Sequence, residues 1–352
     1  MNPLITVLRA SRCRSTHHGF ALDALPLVQT DAGRRLVRLL LRHHDRFLTG
    51  AIDPDLRYRD YQNHVIHVGE GYWGGAPRVA HSWYDRLQRY LRSDRLGDAA
   101  HAMGVLSHYF TDVLQPLHTG ICDRERFLHR PIEWSVFEAY GAIYRAWRED
   151  EMRVVFQLTD RAEWLGEAML HGARFANRKR KLLLDQYDVD RFSEDPAGSL
   201  NGHCRAALAE LFGLAITGTA RIIERAAADA EATRNKPLPS VGLVWSTLDV
   251  VLDGAKDRTV SWLLSRRRRR AVKQLIAEHQ RLGRLEHFLP AEVDIVHRVV
   301  QVHHDEQQWK IHRQRRLSES DTVGKDAGFA AGGRSTRRAT IPIALPPRRR
   351  SA

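Results

Sequence analysis

Between Ser107 and Glu133 the chain reads SHYFTDVLQPLHTGICDRERFLHRPIE. His108 and Asp112 are four residues apart, and so are His129 and Glu133, with His118 between the pairs. On a helix, residues at this spacing share a face, with Cβ atoms about 5–6 Å apart. An imidazole nitrogen and a carboxylate oxygen at that separation can hold one divalent cation. A lone histidine on an apolar helix is more often a satisfied core residue, but a lone buried carboxylate is costly. An ordinary His–Asp hydrogen bond would answer for one pair. Five donors of these types, at these spacings, point instead to metal, and two pairs with a histidine between them suit a multi-metal hydrolytic site.

Further donors lie upstream. The segment GAIDPDLRYRDYQNHVIHVGEGYWGGAP carries Asp53, Asp55, Asp60, His64 and His67. Asp53 and Asp60 read as turn formers in a proline-containing stretch. His17 and His18 are adjacent, so one of the two side chains can point inward, or one can cap the apolar helix that follows.

The elements that must position these residues read as helices. Apolar residues recur at helical spacing in THHGFALDALPLV. Thr30 and Asp31 offer an N-cap for a helix that runs to Gly50. Residues 51 to 77 carry Pro54 and several glycines, and read as an ordered loop of about 25 residues, a length that usually signals function or disorder. VAHSWYDRLQRYLRSD and DAAHAMGVLSHYFTDVLQ follow as helices, the second ended by Pro116. Pro131 is expected in the first turn of the next helix, a favoured place for proline. Further helices are expected over Glu163–Leu184, Ser199–Ala232 and Gly242–Leu264. No segment alternates as a strand does, so the fold class is all-α.

Of the net charge of +13, the stretch from Ser265 onward holds 20 Lys/Arg against 9 Asp/Glu. The basicity therefore belongs to the tail, which is either a contact for anionic lipid or nucleic acid or a solvated charged segment. RRRRRAVKQLIAEHQRLGRLEHF reads as a helix, and disorder is expected from Arg313. The expected domains are an extension over 1–16, a helical domain over 17–264, a basic helical extension over 265–312 and a disordered tail over 313–352. No apolar run approaches the ~20 residues of a membrane span. No signal peptide is recognisable at the start. Cys13, Cys122 and Cys204 are odd in number and scattered, which suggests neither a disulfide framework nor a zinc knuckle. The expected location is cytoplasmic or membrane-peripheral.

GVLSHYFTDVLQPLH resembles the hallmark of the zinc-dependent phospholipase C family, a helix with H-x-x-x-D followed by Q-P-x-H. HRPIE resembles the family's H-x-x-x-E, and GAIDPD with NHVIHV resembles its aspartate-then-histidine segment. His17 falls where the family has its first histidine. The resemblance runs over about residues 17 to 250 and is most specific between Gly104 and Glu133. It implies a compact multi-helix phospholipase C/nuclease-like domain holding two or three Zn2+ ions. Asp55, His64, His108 and Asp112 would hold one ion, and His118, His129 and Glu133 a second. His17 with a bridging Asp112 would hold a third. His18 is an alternative to His17, and His67 to His64. The implied chemistry is hydrolysis of a phosphodiester, most directly a phospholipid, with Asp55 orienting or deprotonating the attacking water. Tyr72, Trp73 and Phe127 either wall a lipid headgroup or pack as core aromatics. The chain departs from the secreted members, which use an amino-terminal tryptophan as a ligand, because no tryptophan precedes Trp73. A related branch, the zinc-dependent single-strand nucleases, is the alternative; its last motif ends in aspartate where this chain has Glu133. A non-catalytic zinc protein docking on membranes is the third reading.

Overall fold

The computed structural model describes residues 3–151 and 153–326. The helices in chain order are α1 (Pro3–Arg12), α2 (Thr16–Ala24), α3 (Asp31–Arg42), α4 (His44–Gly50), α5 (Ala76–Arg92), α6 (Leu96–Asp112), α7 (Asp123–Glu149), α8 (Trp164–Gln186), α9 (Gly202–Arg234), α10 (Val244–Leu282) and α11 (Ala291–Asp326). No strand occurs among the described residues; one isolated antiparallel bridge joins His67 to Trp73. The fold is all-α, as the sequence implies. Two units are distinguished, Met1–Val299 and Val300–Ala352. The second is described only to Asp326, as a continuation of α11. The rest of the tail expected to be disordered, 327–352, lies outside the described residues.

α6 occupies the centre of the first unit because its sequence gives it no wet face. Every residue from Ala102 to Asp112 is buried, and a helix apolar all round belongs to a core. α4 and α5 pack directly on it, while α2, α3 and α7 gather around α9. By length and composition α9 could cross a membrane, but 83% of its most apolar window is buried inside the protein. It is a core helix. Side-chain caps start the elements that carry the site: Ser15 Oγ accepts from the His18 amide, and Thr30 Oγ1 from that of Gly33.

Three elements differ from the sequence reading. The helix expected up to Gly50 is broken at His43 (φ −108°, ψ 38°), separating α3 from α4. Pro131 lies inside α7 rather than in its first turn. The acidic residues Asp123 and Glu125 mark the true start, where they favour the positive end of the helix dipole. α10 runs unbroken across positions 264 and 265.

Two glycines set the α4–α6 distance. A Cβ on Gly104 would press on the Phe47 carbonyl and the Ala51 amide; one on Gly50 would press on the His101 carbonyl and the Val105 amide. The obstacles are backbone, which cannot swing aside. Gly104→Ala is therefore expected to destabilise the fold by about 1–3 kcal/mol, read as a lower midpoint in urea. An unchanged midpoint would show that the two backbones do not meet there.

Candidate metal centre

Asp112 ends α6 and is 1% exposed. Four imidazoles converge on it. Its Oδ1 lies 3.3 Å from His17 Nε2 and 3.5 Å from His118 Nδ1. Its Oδ2 lies 2.8 Å from His64 Nδ1 and 3.0 Å from His108 Nε2. His17 comes from α2 and His108 from α6, one turn before Asp112. His118 closes a tight turn over Pro116–His118, where proline cannot continue the helix and the Gln115 side chain accepts from the Leu117 amide at 2.6 Å. The same turn is tied to the His64 segment: the Ile66 amide donates to the His118 carbonyl at 3.0 Å, and Val68 to Thr119 at 2.9 Å.

The direction of the ring protons decides what this cluster needs. His108 Nδ1–H donates to the Ala51 carbonyl at 2.9 Å. Thr111 Oγ1 gives its proton to the His108 carbonyl at 3.1 Å, so it accepts from His17 Nδ1–H at 3.0 Å. The inward Nε2 of a neutral His17 then turns a lone pair toward Asp112. Burial, and then the neighbouring His108 charge, lower His17 to about 4, so it is neutral near pH 7. Lone pair faces carboxylate at 3.3 Å with no proton between. A cation between them resolves the conflict; tetrahedral ligands at ~2.0–2.1 Å from zinc are themselves about 3.3 Å apart.

In the metal-free chain, protons answer part of that demand. Burial opposes a charge on His64, but Asp112 and Asp60 outweigh it and raise His64 to about 10. His108 moves up for the same reason, with Asp112 and Asp55 outweighing burial. Burial likewise opposes ionisation of Asp112, and His108, His118 and His17 together hold it well below the usual carboxylate range.

The second pair joins from α7. His129 Nε2 lies 3.1 Å from Glu133 Oε1, and His118 Nε2 lies 3.6 Å from the same oxygen. The two imidazoles stack at 5.3 Å. Burial opposes the His129 charge, but Glu133 outweighs it and lifts His129 to about 9. Burial also opposes ionised Glu133, which His129 more than offsets, holding it well below its usual value. Asp55, its side chain 49% exposed, sits 3.6 Å from His108 Nε2 and 3.7 Å from His64 Nδ1. Three donor groups result, each with its ligand atoms within 4.8 Å of one another: His17, His108 and Asp112; Asp55, His64 and His108; His118, His129 and Glu133. His118 Nδ1 is buried without a hydrogen-bond partner.

The alternatives separate by contact. His18 has both ring nitrogens engaged with backbone, the Leu48 carbonyl at 2.9 Å and the Arg14 amide at 3.0 Å. It fastens α2 to α4. His67 packs its ring on Trp73 at 5.2 Å and belongs to none of the three groups. Asp53 accepts from His101 Nε2 at 2.8 Å, away from the cluster. Asp60, read as a turn former, does more. It accepts from Tyr109 Oη at 2.9 Å and from Asn63 at 2.7 Å, and it faces His64 Nε2 at 3.4 Å, which orients that ring. Cys122 precedes α7 and enters no donor group.

The donor residues other than His108 line a cavity of about 670 Å3. Much of its wall is apolar, including Phe20, Leu208, Leu211 and Phe212, with Val272 and Leu275 of α10 and Val293 and Val296 of α11. Tyr72, Trp73 and Phe127, expected at a headgroup, are not among the residues that line this cavity. Tyr72 accepts from Arg174 Nε at 2.6 Å on the surface, Trp73 packs on His67, and Phe127 stacks on His279 at 3.7 Å. Each is drawn off by a nearer partner. The lining from α10 and α11 was not foreseen, since nothing in the spacing of residues 268–297 reveals their approach to residues 55–133.

The site and the sequence now agree with a comparison. Residues 16–168 match the model of the family described as zinc dependent phospholipase C. Among solved structures, the chain is similar to the alpha-toxin of an avian strain, SWCP, of Clostridium perfringens, at 13% identity and a TM-score of 0.44, covering 61% of this chain and 64% of that one. It is also similar to the alpha toxin of Clostridium absonum, at 14% identity and a TM-score of 0.40, covering 60% and 64%. The chain thus spans less than two thirds of the length of each toxin. No curated protein sequence matches it.

Proposed function

We propose that this protein is a zinc-dependent phosphodiester hydrolase of the phospholipase C type, acting on a phospholipid. The observation that carries the reading is the 3.3 Å approach of His17 Nε2 to the buried Asp112 Oδ1, with His17 Nδ1 engaged by Thr111, in a cavity shared with two further donor groups. The residues fit zinc: imidazoles and carboxylates only, with second contacts that fix ring orientation. Asp55, His64, His108 and Asp112 would hold one ion. His118, His129 and Glu133 would hold a second, and His17 with Asp112 would complete a third. Bound there, zinc supplies charge to offset that of the phosphate and lowers the pKa of water toward neutral.

The chain's own residues do the rest. Asp55 is the half-exposed carboxylate at the cluster's edge, placed to orient a water and take its proton. The apolar wall beside the cluster suits acyl chains and excludes water from the phosphate. Zinc-loaded protein should release phosphorylated headgroup and diacylglycerol from phospholipid micelles, with activity lost on chelation and restored by zinc. A stoichiometrically loaded protein that turns over no lipid, or that cuts only single-stranded DNA, would refute the reading.

A further inference from the structure

Arg59, Arg130 and Arg268 line the same cavity as the metal cluster, and none belongs to the donor groups. Arg130 lies in α7 between His129 and Glu133, and it is ion-paired with Glu292 of α11. Its side chain is about half exposed. Arg268 lies in α10, outside the family-matched stretch, and lines the cavity with Arg130. Its Nη1 donates to the Arg14 carbonyl at 3.0 Å. Among the described residues it forms no ion pair. Its surroundings disfavour its charge, through burial and then Arg130, while Asp55 and Glu133 act in the other direction. A guanidinium does not escape by losing its proton.

Those two carboxylates are among the proposed zinc ligands, so this inference rests on the ligand set given above. When Asp55 and Glu133 are committed to metal, Arg268 keeps its positive charge beside Arg130 with no counter-charge of its own. A partly buried charge in that state is costly until an anion joins it. We propose that Arg268, with Arg130 beside it, forms an anion subsite on the α10 side of the cavity. It grips a phosphoryl or other anionic oxygen of the substrate, and it selects against phospholipids whose headgroup is cationic. The planar fork of arginine suits such an oxygen pair. A quaternary ammonium would meet like charge there, while an anionic headgroup would gain a charge-assisted hydrogen bond.

The test uses the full-length, zinc-loaded chain, comparing wild type, Arg268→Gln and Arg268→Lys. Inorganic phosphate affinity is measured by calorimetry. kcat/KM is measured on mixed micelles of phosphatidylglycerol and of phosphatidylcholine. Wild type should prefer phosphatidylglycerol. Arg268→Gln should weaken phosphate binding about tenfold and erase most of that preference, with zinc content unchanged, and Arg268→Lys should fall between. Equal phosphate affinity in wild type and Arg268→Gln, or an undiminished headgroup preference, overturns the subsite. Should Arg268→Gln not fold, the wild type still decides: a preference for phosphatidylcholine refutes the proposal. The two readings fail separately. Loss of phosphate affinity in Arg268→Gln with no lipid turnover by any form would keep the subsite and remove the phospholipase reading. Turnover by all three forms at one headgroup ratio would do the reverse.

Discussion

Asp112→Asn should strip the protein of all but one of its zinc ions and lower phosphodiester turnover by about 10³-fold. Among the described residues, Asp112 is the one side chain that meets four imidazoles, with each carboxylate oxygen facing two of them. Asparagine keeps the shape but removes the charge that compensates two cations, and it turns an amide toward ring nitrogens that need a shared anion. The groups built on His17, His108 and His64 should then lose their metal. The group of His118, His129 and Glu133 has its own carboxylate and should keep its ion. Losing electrostatic stabilisation of several kcal/mol corresponds to about three powers of ten in rate. Metal content by mass spectrometry and steady-state kinetics read the two effects. Asp53→Asn is the control: Asp53 is close in sequence to Asp55 but bonded to His101, so zinc content should not change. Full zinc occupancy with turnover within tenfold of wild type in Asp112→Asn would end the shared-carboxylate account.

How far the sequence reached can be judged residue by residue. The i, i+4 pairs were legible because a helix fixes their geometry locally, and both pairs do meet, His108 with Asp112 and His129 with Glu133. The turn that delivers His118 was legible from its proline. The choice between His17 and His18 was not. It depends on whether the Leu48 carbonyl or Asp112 is the nearer partner, and both arrive from distant segments. Asp60 was misread for a related reason. Its turn-forming type is visible in sequence, but the tyrosine and histidine that it bridges are supplied by tertiary packing. Pro131 misled because a proline ordinarily marks a helix start, while the acidic first turn eight residues earlier is a weaker signal. The aromatics near residues 72 and 127 were placed by neighbourhood in sequence. Their actual partners, Arg174 and His279, lie far along the chain.

Metal removal should produce a pH dependence that the loaded protein lacks. Without metal, His64 is raised to about 10 and His129 to about 9 by buried carboxylates. A histidine whose folded pKa is raised stabilises the fold fully below its unfolded value near 6.5, and that contribution is lost as pH climbs through the folded value. The metal-free protein should therefore weaken from about pH 6.5 to 10. His17 and His18 act oppositely. Burial lowers each to about 4, so stability falls as acid passes below their unfolded value toward that point. The metal-free optimum should sit near neutrality. Zinc requires neutral imidazoles, so loading at pH 7 should displace about two protons or more, from His64 and His129 and in part from His108. Calorimetry in buffers of different ionisation enthalpy counts them. At free zinc a hundredfold above each Kd, every independent site adds about 2.7 kcal/mol. The loaded form should melt well above the metal-free form, with the gap widest near pH 9 to 10, where the proton-based compensation of Asp112 and Glu133 has been spent. A metal-free protein equally stable at pH 7 and pH 10, with zinc uptake that releases no protons, would mean that these carboxylates are not held by imidazolium charge and that the cluster does not trade protons for metal.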